Sequence, residues 1–390
     1  MNRYMPIGDF VKSISKTHKF DKKDLIFLNT SDVSKGKILV DSYMSVSEMK
    51  GQAKKTIENG DILYSEIRPK NKRYAYVKNL LKPEDYVVST KLMVLRNISN
   101  KLNTDYLYHF LTSNYTVNYL QGRAENRIGS FPQITFNVLK VLNIYIPDYI
   151  IQTKIAKILS DLDAKIELNN KINAELEAMA KLIYNYWFVQ FDFPNENGKP
   201  YKSSGGKMVY NKELKREIPV GWKSGYLNDL YDFKYGLGNT NPHNGGEYPV
   251  YGSNGVIGSY DKFNNEDAPV IGHIGNKCGS LVYAFGKHYV TYNGVMCKIR
   301  KPYDKFFGYT TLLSKDLMSR RRGSSQPFIS YDLLNDITFI IPEDRIMKIY
   351  CALIIPSYEK VISNLKQNQK LSELRDWLLP MLMNGQVKVG

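Results

Sequence analysis

The sequence has few of the residues that mark secreted, membrane-spanning or metal-dependent proteins. Only three cysteines occur in 390 residues, and none of them forms a CxxC pair. Isolated cysteines in an odd number are typical of free thiols in a reducing compartment, so we expect a cytoplasmic protein without disulfides. The five histidines show no ligand spacing, and we expect no metal site. No apolar run approaches the roughly 20 residues that span a bilayer.

Acidic residues are also in deficit. The chain has 54 Lys and Arg against 38 Asp and Glu, which gives a net charge of +16. This excess favours a polyanionic partner. An anionic membrane surface is the rival partner, but no basic amphipathic helix with an apolar anchor supports it. The hydrophobic share of 43% is that of a globular protein, and the length suffices for two domains.

Complete catalytic motifs are missing as well. The segment Asn241-Pro242-His243-Asn244 approaches the Asn/Asp-Pro-Pro-aromatic loop of amino methyltransferases, but it lacks the second proline and the aromatic residue. No GxxxxGK[ST] loop is present, so we expect no ATP hydrolysis. Glu84, Asp85 and Lys91 match a metal nuclease only loosely. We therefore expect no catalytic residue and no cofactor in this chain. The alternatives are a stand-alone methyltransferase or nuclease, or a coiled-coil scaffold that binds no DNA.

The chain contains an internal repeat with a period of 195 residues. A Gly-Ser segment before a Pro-x-Ile or Pro-Phe-Ile sequence occurs twice, and each copy runs on to an Ile-Pro pair. The matched residues are Pro132 with Pro327, Ile134 with Ile329, Leu139 with Leu334, and Ile146-Pro147 with Ile341-Pro342. Such self-similarity predicts two copies of one structural plan.

A long helical pattern follows each Ile-Pro pair. In the first helix apolar residues recur at alternating steps of four and three, as a coiled-coil seam requires, and the second helix has apolar residues at several of the positions 195 residues later. They are Ile155, Leu159, Leu162, Ile166, Leu176, Ala180, Ile183 and Trp187 in the first helix, and Ile354, Val361, Leu371, Leu378 and Leu382 in the second. Each pattern spans about 35 residues, or about 50 Å of helix.

Asparagines occupy the same two seam positions in both helices: Asn169 and Asn173 in the first, Asn364 and Asn368 in the second. A buried asparagine costs stability unless it is paired, and its best-attested use is to fix register. In an antiparallel pair, Asn169 would face Asn368 and Asn173 would face Asn364. The alternative is that these side chains face solvent on a drifting apolar stripe.

The second helix departs from the first at three positions. Pro356 interrupts its start, Arg375 occupies a seam position, and Pro380 falls in its last turns. Proline removes a helical hydrogen bond and clashes with the preceding turn. We therefore expect a second helix that is shorter or kinked, and only approximate symmetry.

The regions before the helices are strand-rich and punctuated by turn residues. We predict an α+β protein with two mixed, strand-rich domains separated by two long antiparallel coiled-coil helices, with pseudo-two-fold symmetry. The polar stretch 195–207 is either a linker or an exposed hairpin. The predicted domains are domain 1 over 1–148, helix 1 over 149–194, linker and domain 2 over 195–342, and helix 2 over 343–390.

Four segments resemble the specificity (S) subunit of type I restriction–modification systems. They are the domain entrance Ile218-Pro219-Val220-Gly221-Trp222, the helix start 152–159, the segment 251–258 (Tyr-Gly-Ser-Asn-Gly-Val-Ile-Gly) and the C-terminal run 374–385. Together with the repeat, these motifs cover the whole chain.

The resemblance implies two target-recognition domains, each reading one half of a split double-stranded DNA site. It implies that the helices act as a ruler and bind two methyltransferase (M) subunits, which use S-adenosylmethionine to methylate adenine N6. Restriction (R) subunits, with ATP and Mg, would complete the complex. Because the two domains differ in sequence, the half-sites should differ, with an unread spacer between them.

Basic, amide and hydroxyl side chains in equivalent loops are the candidate DNA contacts, because such groups bind phosphates and base edges. The alternative for each is a solvated surface group. The candidates are Arg68, Lys70, Asn71, Lys72, Arg73, Arg123, Asn126, Arg127, Ser130 and Gln133 in the first domain, and Asn254, His273, Asn276, Lys277, Arg320, Arg321, Arg322, Ser324, Ser325 and Gln326 in the second.

Overall fold

The structure, a computed structural model, describes residues 3–49, 51–126, 132–238, 245–300, 303–383 and 385–387. The chain folds as two compact units. Unit 1 comprises Met1–Leu168 and Gln367–Gly390, and unit 2 comprises Asn169–Lys366. Each unit therefore combines a strand-rich part with segments of both long helices.

Unit 1 is built around a sheet with the strand order β2–β11–β8–β9, in which all neighbours are antiparallel. β8 is buried along its whole length. A second sheet has the order β6–β3–β10–β7. The described strands are β1 (Arg3–Pro6), β2 (Val11–Ile14), β3 (Asp24–Leu28), β4 (Val33–Ser34), β5 (Lys37–Ile38), β6 (Met44–Ser45), β7 (Ala53–Lys55), β8 (Ile62–Ser65), β9 (Tyr74–Tyr76), β10 (Tyr86–Ser89), β11 (Leu92–Asn97) and β12 (Asn143–Ile146).

The helices of unit 1 begin at side chains that satisfy their first backbone N–H groups. Asn103 accepts from the N–H of Tyr106, and Ser113 accepts from the N–H of Thr116. The elements are α1 (Thr104–Thr112), α2 (Asn114–Glu125), α3 (Phe136–Leu139) and the long α4 (Tyr149–Tyr184), which extends into unit 2. One apolar core packs α1 and α2 against the β2–β11–β8–β9 sheet and against the start of α4.

Unit 2 is built around a sheet with the order β16–β21–β19–β20–β17–β18. The segment 195–207 forms tight turns, and Phe193 stacks on Tyr201 with ring centroids 4.6 Å apart, so this stretch folds against the core. The described elements are β13 (Met208–Asn211), β14 (Arg216–Pro219), β15 (Lys223–Tyr226), α5 (Leu227–Leu230), β16 (Tyr231–Tyr235), β17 (Tyr248–Gly252), β18 (Gly255–Tyr260), β19 (Asn265–Gly272), β20 (Leu281–Val290), β21 (Gly294–Ile299), α6 (Lys305–Leu313), α7 (Tyr331–Asn335), β22 (Thr338–Ile341) and α8 (Asp344–Met383).

The long helices run antiparallel within each unit. In unit 1, Arg375 of α8 donates from Nη1 to Oδ1 of Asp163 of α4 at 2.7 Å. In unit 2, the Tyr350 hydroxyl of α8 donates to the Ala180 carbonyl of α4 at 3.3 Å. No helix among the described residues is long and apolar enough to cross a membrane.

The prolines do not shorten the second helix, so the expectation of a shorter helix is wrong, while a kinked helix stays a prediction. α8 continues through Pro356 and Pro380 for 40 residues, while α4 has 36 before a π-helical turn at Asn185–Val189. Both prolines are exposed, so water can hydrate the carbonyl that each leaves unpaired one turn earlier. The predicted seam position of Arg375 is accommodated by its ion pair with Asp163.

One of the two predicted asparagine pairs is present in unit 2. Asn364 Nδ2 donates to Asn173 Oδ1 at 2.8 Å, and both side chains are buried. The solvent-facing alternative is therefore wrong for this pair. Asn169 is also buried, but Asn169 and Asn368 belong to different units, and their pairing stays a prediction.

The predicted α+β class, with two strand-rich regions and two long antiparallel helices, is confirmed. The strand-rich character predicted for the regions before the helices is seen in β8, β10, β11 and β19, among other strands. All three cysteines are free and buried.

Candidate nucleic-acid interface

Five of the candidate residues of unit 1, between Arg68 and Arg73, lie on one hairpin loop, residues 66–73, which connects β8 to β9. The Ser65 N–H donates to the Arg73 carbonyl at 2.8 Å and closes this loop. Pro69–Asn71 form a 3₁₀ turn within it. The residues on either side, Arg68 and Lys72, have positive φ angles of 45° and 51°. Non-glycine residues adopt this conformation at an energetic cost, which often marks a functional loop.

A second segment, residues 132–134, pairs with this hairpin loop. We call it the return segment, and it contains the repeated proline and isoleucine. The Arg68 N–H donates to the Pro132 carbonyl at 3.0 Å, and the Ile134 N–H donates to the Glu66 carbonyl at 2.8 Å. Gln133 lies between these two bonds, opposite Ile67. The pairing brings together candidates that are more than 60 residues apart in the chain.

Unit 2 contains the same arrangement. Its hairpin loop, residues 273–280, connects β19 to β20 and is closed by the Gly272 N–H, which donates to the Ser280 carbonyl at 2.8 Å. Its return segment is residues 327–329. The Gly275 N–H donates to the Pro327 carbonyl at 2.8 Å, and the Ile329 N–H donates to the His273 carbonyl at 3.0 Å. The proline and isoleucine that repeat in the sequence therefore form the same backbone hydrogen bonds in both units.

The side chains of the unit 1 loop differ in their surroundings. Lys70 and Asn71 are exposed, and the Lys70 backbone N–H donates to Gln121 Oε1 at 3.1 Å, which ties the loop to α2. Arg73 points inward: its Nη1 donates to the carbonyls of Ser31 at 2.9 Å and Val33 at 3.5 Å. Arg73 therefore stabilises the loop by binding the backbone of Ser31 and Val33.

Lys72 is half-buried and bonded within unit 1. Its Nζ donates to Asn114 Oδ1 at 3.1 Å, and Asn114 Nδ2 donates to Asp376 Oδ2 at 3.1 Å. Burial lowers the pKa of Lys72, while the charge of Asp376 opposes that shift. The sequence alone gives no sign of this connection to α8.

The second group of candidates in unit 1 begins at the end of α2, and we call it the basic segment of unit 1. Its members Arg123 and Asn126 are exposed. The predicted candidates Arg127 and Ser130 lie outside the described residues. Gln133 is half-buried, and its Nε2 donates to Oε2 of Glu66 at 2.6 Å. Glu66 is absent from the predicted DNA contacts. It matches His273 only through the backbone pairing, because the two residues do not follow the 195-residue period, so the sequence repeat gives no signal for it.

The basic segment of unit 2, residues 320–326, precedes its return segment. Arg320, Arg321 and Arg322 are all exposed. Within the described part of the chain, their side chains make no hydrogen bond or ion pair. Ser324, Ser325 and Gln326 are exposed as well. The Arg322 backbone pairs with that of Phe328, at 2.9 and 2.8 Å, which holds the segment as a tight loop beside the return segment.

The other candidates of unit 2 surround its hairpin loop. Asn276 and Lys277 are exposed on the loop. Asn254 is exposed in the turn between β17 and β18, and the Ser280 hydroxyl donates to the carbonyl of the adjacent Ser253 at 2.9 Å. That bond places the turn next to the hairpin loop.

His273 differs from the other candidates because it is buried. Its ring stacks on Tyr235 with centroids 4.1 Å apart, and its Nδ1 lies 3.1 Å from the Tyr292 carbonyl. Burial lowers the pKa of His273, and the contact with the Tyr292 carbonyl opposes the shift. The stacked His273 ring thus joins the hairpin loop to β16.

The described residues contain no group of three or more His, Cys, Asp or Glu side chains placed to hold a metal ion. Glu84 and Asp85, considered above for a nuclease, lie beside Lys22, and Asp85 also accepts from the Tyr43 hydroxyl at 2.7 Å. These two bonds from Lys22 and Tyr43 lower the pKa of Asp85. The carboxylate is thus bound by protein donors. The near match to a methyltransferase loop, 241–244, lies outside the described residues.

Comparison with known proteins identifies one family. The family profile described as "Type I restriction modification DNA specificity domain" matches residues 3–178 and 219–373. The chain is 30% identical to the type I restriction enzyme HindI specificity subunit of Haemophilus influenzae, over an alignment of 460 residues that covers 98% of each protein. It is 28% identical to the MjaIX specificity subunit of Methanocaldococcus jannaschii, over 75% of this chain and 72% of that protein.

Among solved structures, the S subunit of a type I restriction–modification system from M. genitalium is 17% identical, with a TM-score of 0.47, over 98% of this chain and 96% of that one. The two matched regions of the family profile contain both return segments and most of the two long helices. The chain therefore belongs to the family of type I restriction–modification DNA specificity subunits.

Proposed function

We propose that the chain reads an asymmetric, bipartite site in double-stranded DNA, with each unit contacting one half-site. The observation that carries this proposal is the shared backbone pairing of hairpin loop and return segment in both units. The same scaffold presents different side chains in the two units, which is what two different half-sites require. The net charge of +16 suits a polyanionic partner.

Exposed cations next to each return segment are the proposed phosphate contacts, and amide side chains are the proposed readers of base edges. In unit 2 the cations are those of the basic segment. In unit 1, Lys70 and Arg123 are exposed, while Asn71 and Gln133 offer amides. Lys72, Arg73 and His273 are engaged within the protein, so we assign them to positioning the loops.

We further propose that the chain performs no catalysis and directs partner subunits in the cytoplasm. Two M subunits would bring S-adenosylmethionine, and R subunits would bring ATP and Mg. The proposed division of the chain is 1–148 and 195–342 for recognition, and 149–194 and 343–390 for the helices that bind the M subunits and set the spacer between half-sites.

Sequencing the DNA methylation of cells with the gene present and deleted tests this function. We expect N6-methyladenine in an asymmetric motif with an unread spacer, and its loss on deletion. The purified chain alone, incubated with DNA and labelled S-adenosylmethionine, should transfer no label. Transfer by the pure chain would support the alternative of a stand-alone methyltransferase, and an unchanged methylation pattern would argue against the proposal.

Arg73 and Lys70 lie in the same loop and should behave differently when replaced by alanine. Arg73→Ala removes hydrogen bonds from a charged donor to two carbonyls, which we expect to lower the free energy of unfolding by about 1–2 kcal/mol. Lys70→Ala should change it by under about 0.5 kcal/mol, but should reduce the slope of log affinity against log salt by about 1. Denaturant titration and mobility-shift assays at several salt concentrations measure both. A lower salt slope without lost stability in Arg73→Ala would contradict this assignment.

A further inference from the structure

Glu66 and Gln133 form a hydrogen-bonded pair of side chains at the proposed DNA interface of unit 1. Glu66 is the first residue of the unit 1 hairpin loop, and Gln133 is the middle residue of the return segment. The two side chains meet at 2.6 Å between Gln133 Nε2 and Glu66 Oε2. Both are half-buried, so each retains an accessible part. The return segment that contains Gln133 pairs with the hairpin loop that contains the proposed DNA contacts Lys70 and Asn71.

The carboxylate of Glu66 fixes the orientation of the Gln133 amide. An ionised carboxylate only accepts hydrogen bonds, so the NH₂ group of the amide must face it and the carbonyl oxygen must point away. One N–H of the NH₂ group is used by Glu66. A bond from Glu66 to the N–H trans to the amide oxygen leaves the second N–H and the oxygen Oε1 on one edge, as an adjacent donor and acceptor.

An adjacent amide donor and acceptor complement one base in the major groove. Adenine presents its N7 as an acceptor and its N6 amino group as a donor, and glutamine can bind both at once. We propose that Gln133, oriented by Glu66, reads an adenine in the half-site contacted by unit 1. Glu66 is a positioning residue in this pair. The inference rests on the proposed function, since it assigns a base to a residue of that interface.

Unit 2 cannot form this pair, although its backbone is arranged in the same way. His273 occupies the place of Glu66, and Phe328 occupies the place of Gln133. The Phe328 side chain has no hydrogen-bonding group, and the His273 ring is stacked on Tyr235. The equivalent position of the other half-site therefore serves as an internal control, because changes at Glu66 and Gln133 should leave its preference unaltered.

Exchanging the two side chains tests the inference. The double variant Glu66→Gln/Gln133→Glu keeps a hydrogen bond between an amide and a carboxylate, but it places the carboxylate at the reading position. A carboxylate accepts from the N4 amino group of cytosine and is repelled by adenine N7. We expect preference at one position of this half-site to change from adenine to cytosine, by about 10-fold or more in relative affinity.

The single variant Glu66→Gln is nearly isosteric and provides a second test if the exchange impairs folding. A neutral amide at position 66 accepts either orientation of Gln133, so discrimination for adenine should fall about 10-fold while the salt dependence of binding stays unchanged. The assay uses the full chain assembled with its partner subunits. The probes are duplexes that carry the motif found by methylation sequencing, with each base of both half-sites substituted in turn.

Three results would overturn the inference. One is an unchanged preference in both variants. Another is a uniform loss of affinity for all duplexes, which is what a merely structural bond predicts. The third is a change confined to the half-site contacted by unit 2. If the wild-type complex itself distinguishes no duplex from another, then the proposed function fails, and the inference fails with it.

Discussion

Replacing Arg320, Arg321 and Arg322 with alanine should weaken DNA binding by the full chain on the order of 100-fold near 0.15 M salt. Each lost phosphate contact removes about 0.9 from the slope of log affinity against log salt, so the slope should fall by up to about 3. The three side chains are exposed and, within the described residues, have no protein partner whose loss would disturb the fold. Mobility-shift assays at four or more salt concentrations measure both quantities.

The control removes the same charge elsewhere in unit 2. Lys199, Lys202 and Lys207 are exposed in the turns before β13, away from the hairpin loop and the return segment in sequence. Their triple alanine variant should change affinity by less than about threefold, because only long-range attraction is lost and salt screens it. Equal losses in the two triple variants would mean that net charge, and not the basic segment, determines binding.

Much of the fold was predictable because the repeat and the helix patterns are local signals. Pro132 and Pro327 lie at a constant separation, and they mark the two return segments. The two hairpin loops were indicated only by their basic, amide and hydroxyl side chains. Helix continuity through Pro356 and Pro380 was not, because it depends on which side of the helix each ring faces, and that follows from packing.

The roles of individual site residues depend on contacts that distant parts of the chain make. Arg73 and Lys70 are similar in the sequence, yet one binds the carbonyls of Ser31 and Val33 while the other is exposed. The Glu66–Gln133 pair joins positions 67 residues apart. A loop composition predicts that cations and amides are present, but only the tertiary structure decides which of them face outward.

The buried pair Asn173–Asn364 allows the strongest test of helix pairing in unit 2. Asn173→Leu alone leaves the Asn364 amide buried without its partner, and Asn364→Leu does the reverse. We expect each to lower the free energy of unfolding by about 1–3 kcal/mol. The double leucine variant should lose much less than the sum of the two, since replacing both members of a buried polar pair is often near neutral.

Tryptophan fluorescence during denaturant titration can follow unit 2, because Trp187 and Trp222 are buried in its core while Trp377 of unit 1 is exposed. Ala174→Leu, at an exposed position beside Asn173, controls for the added leucine and should change stability by under about 0.5 kcal/mol. Additive losses in the double variant would contradict the pairing. A coupling of about 1 kcal/mol or more would show that the two asparagines act as one unit, as a device that fixes helix register requires.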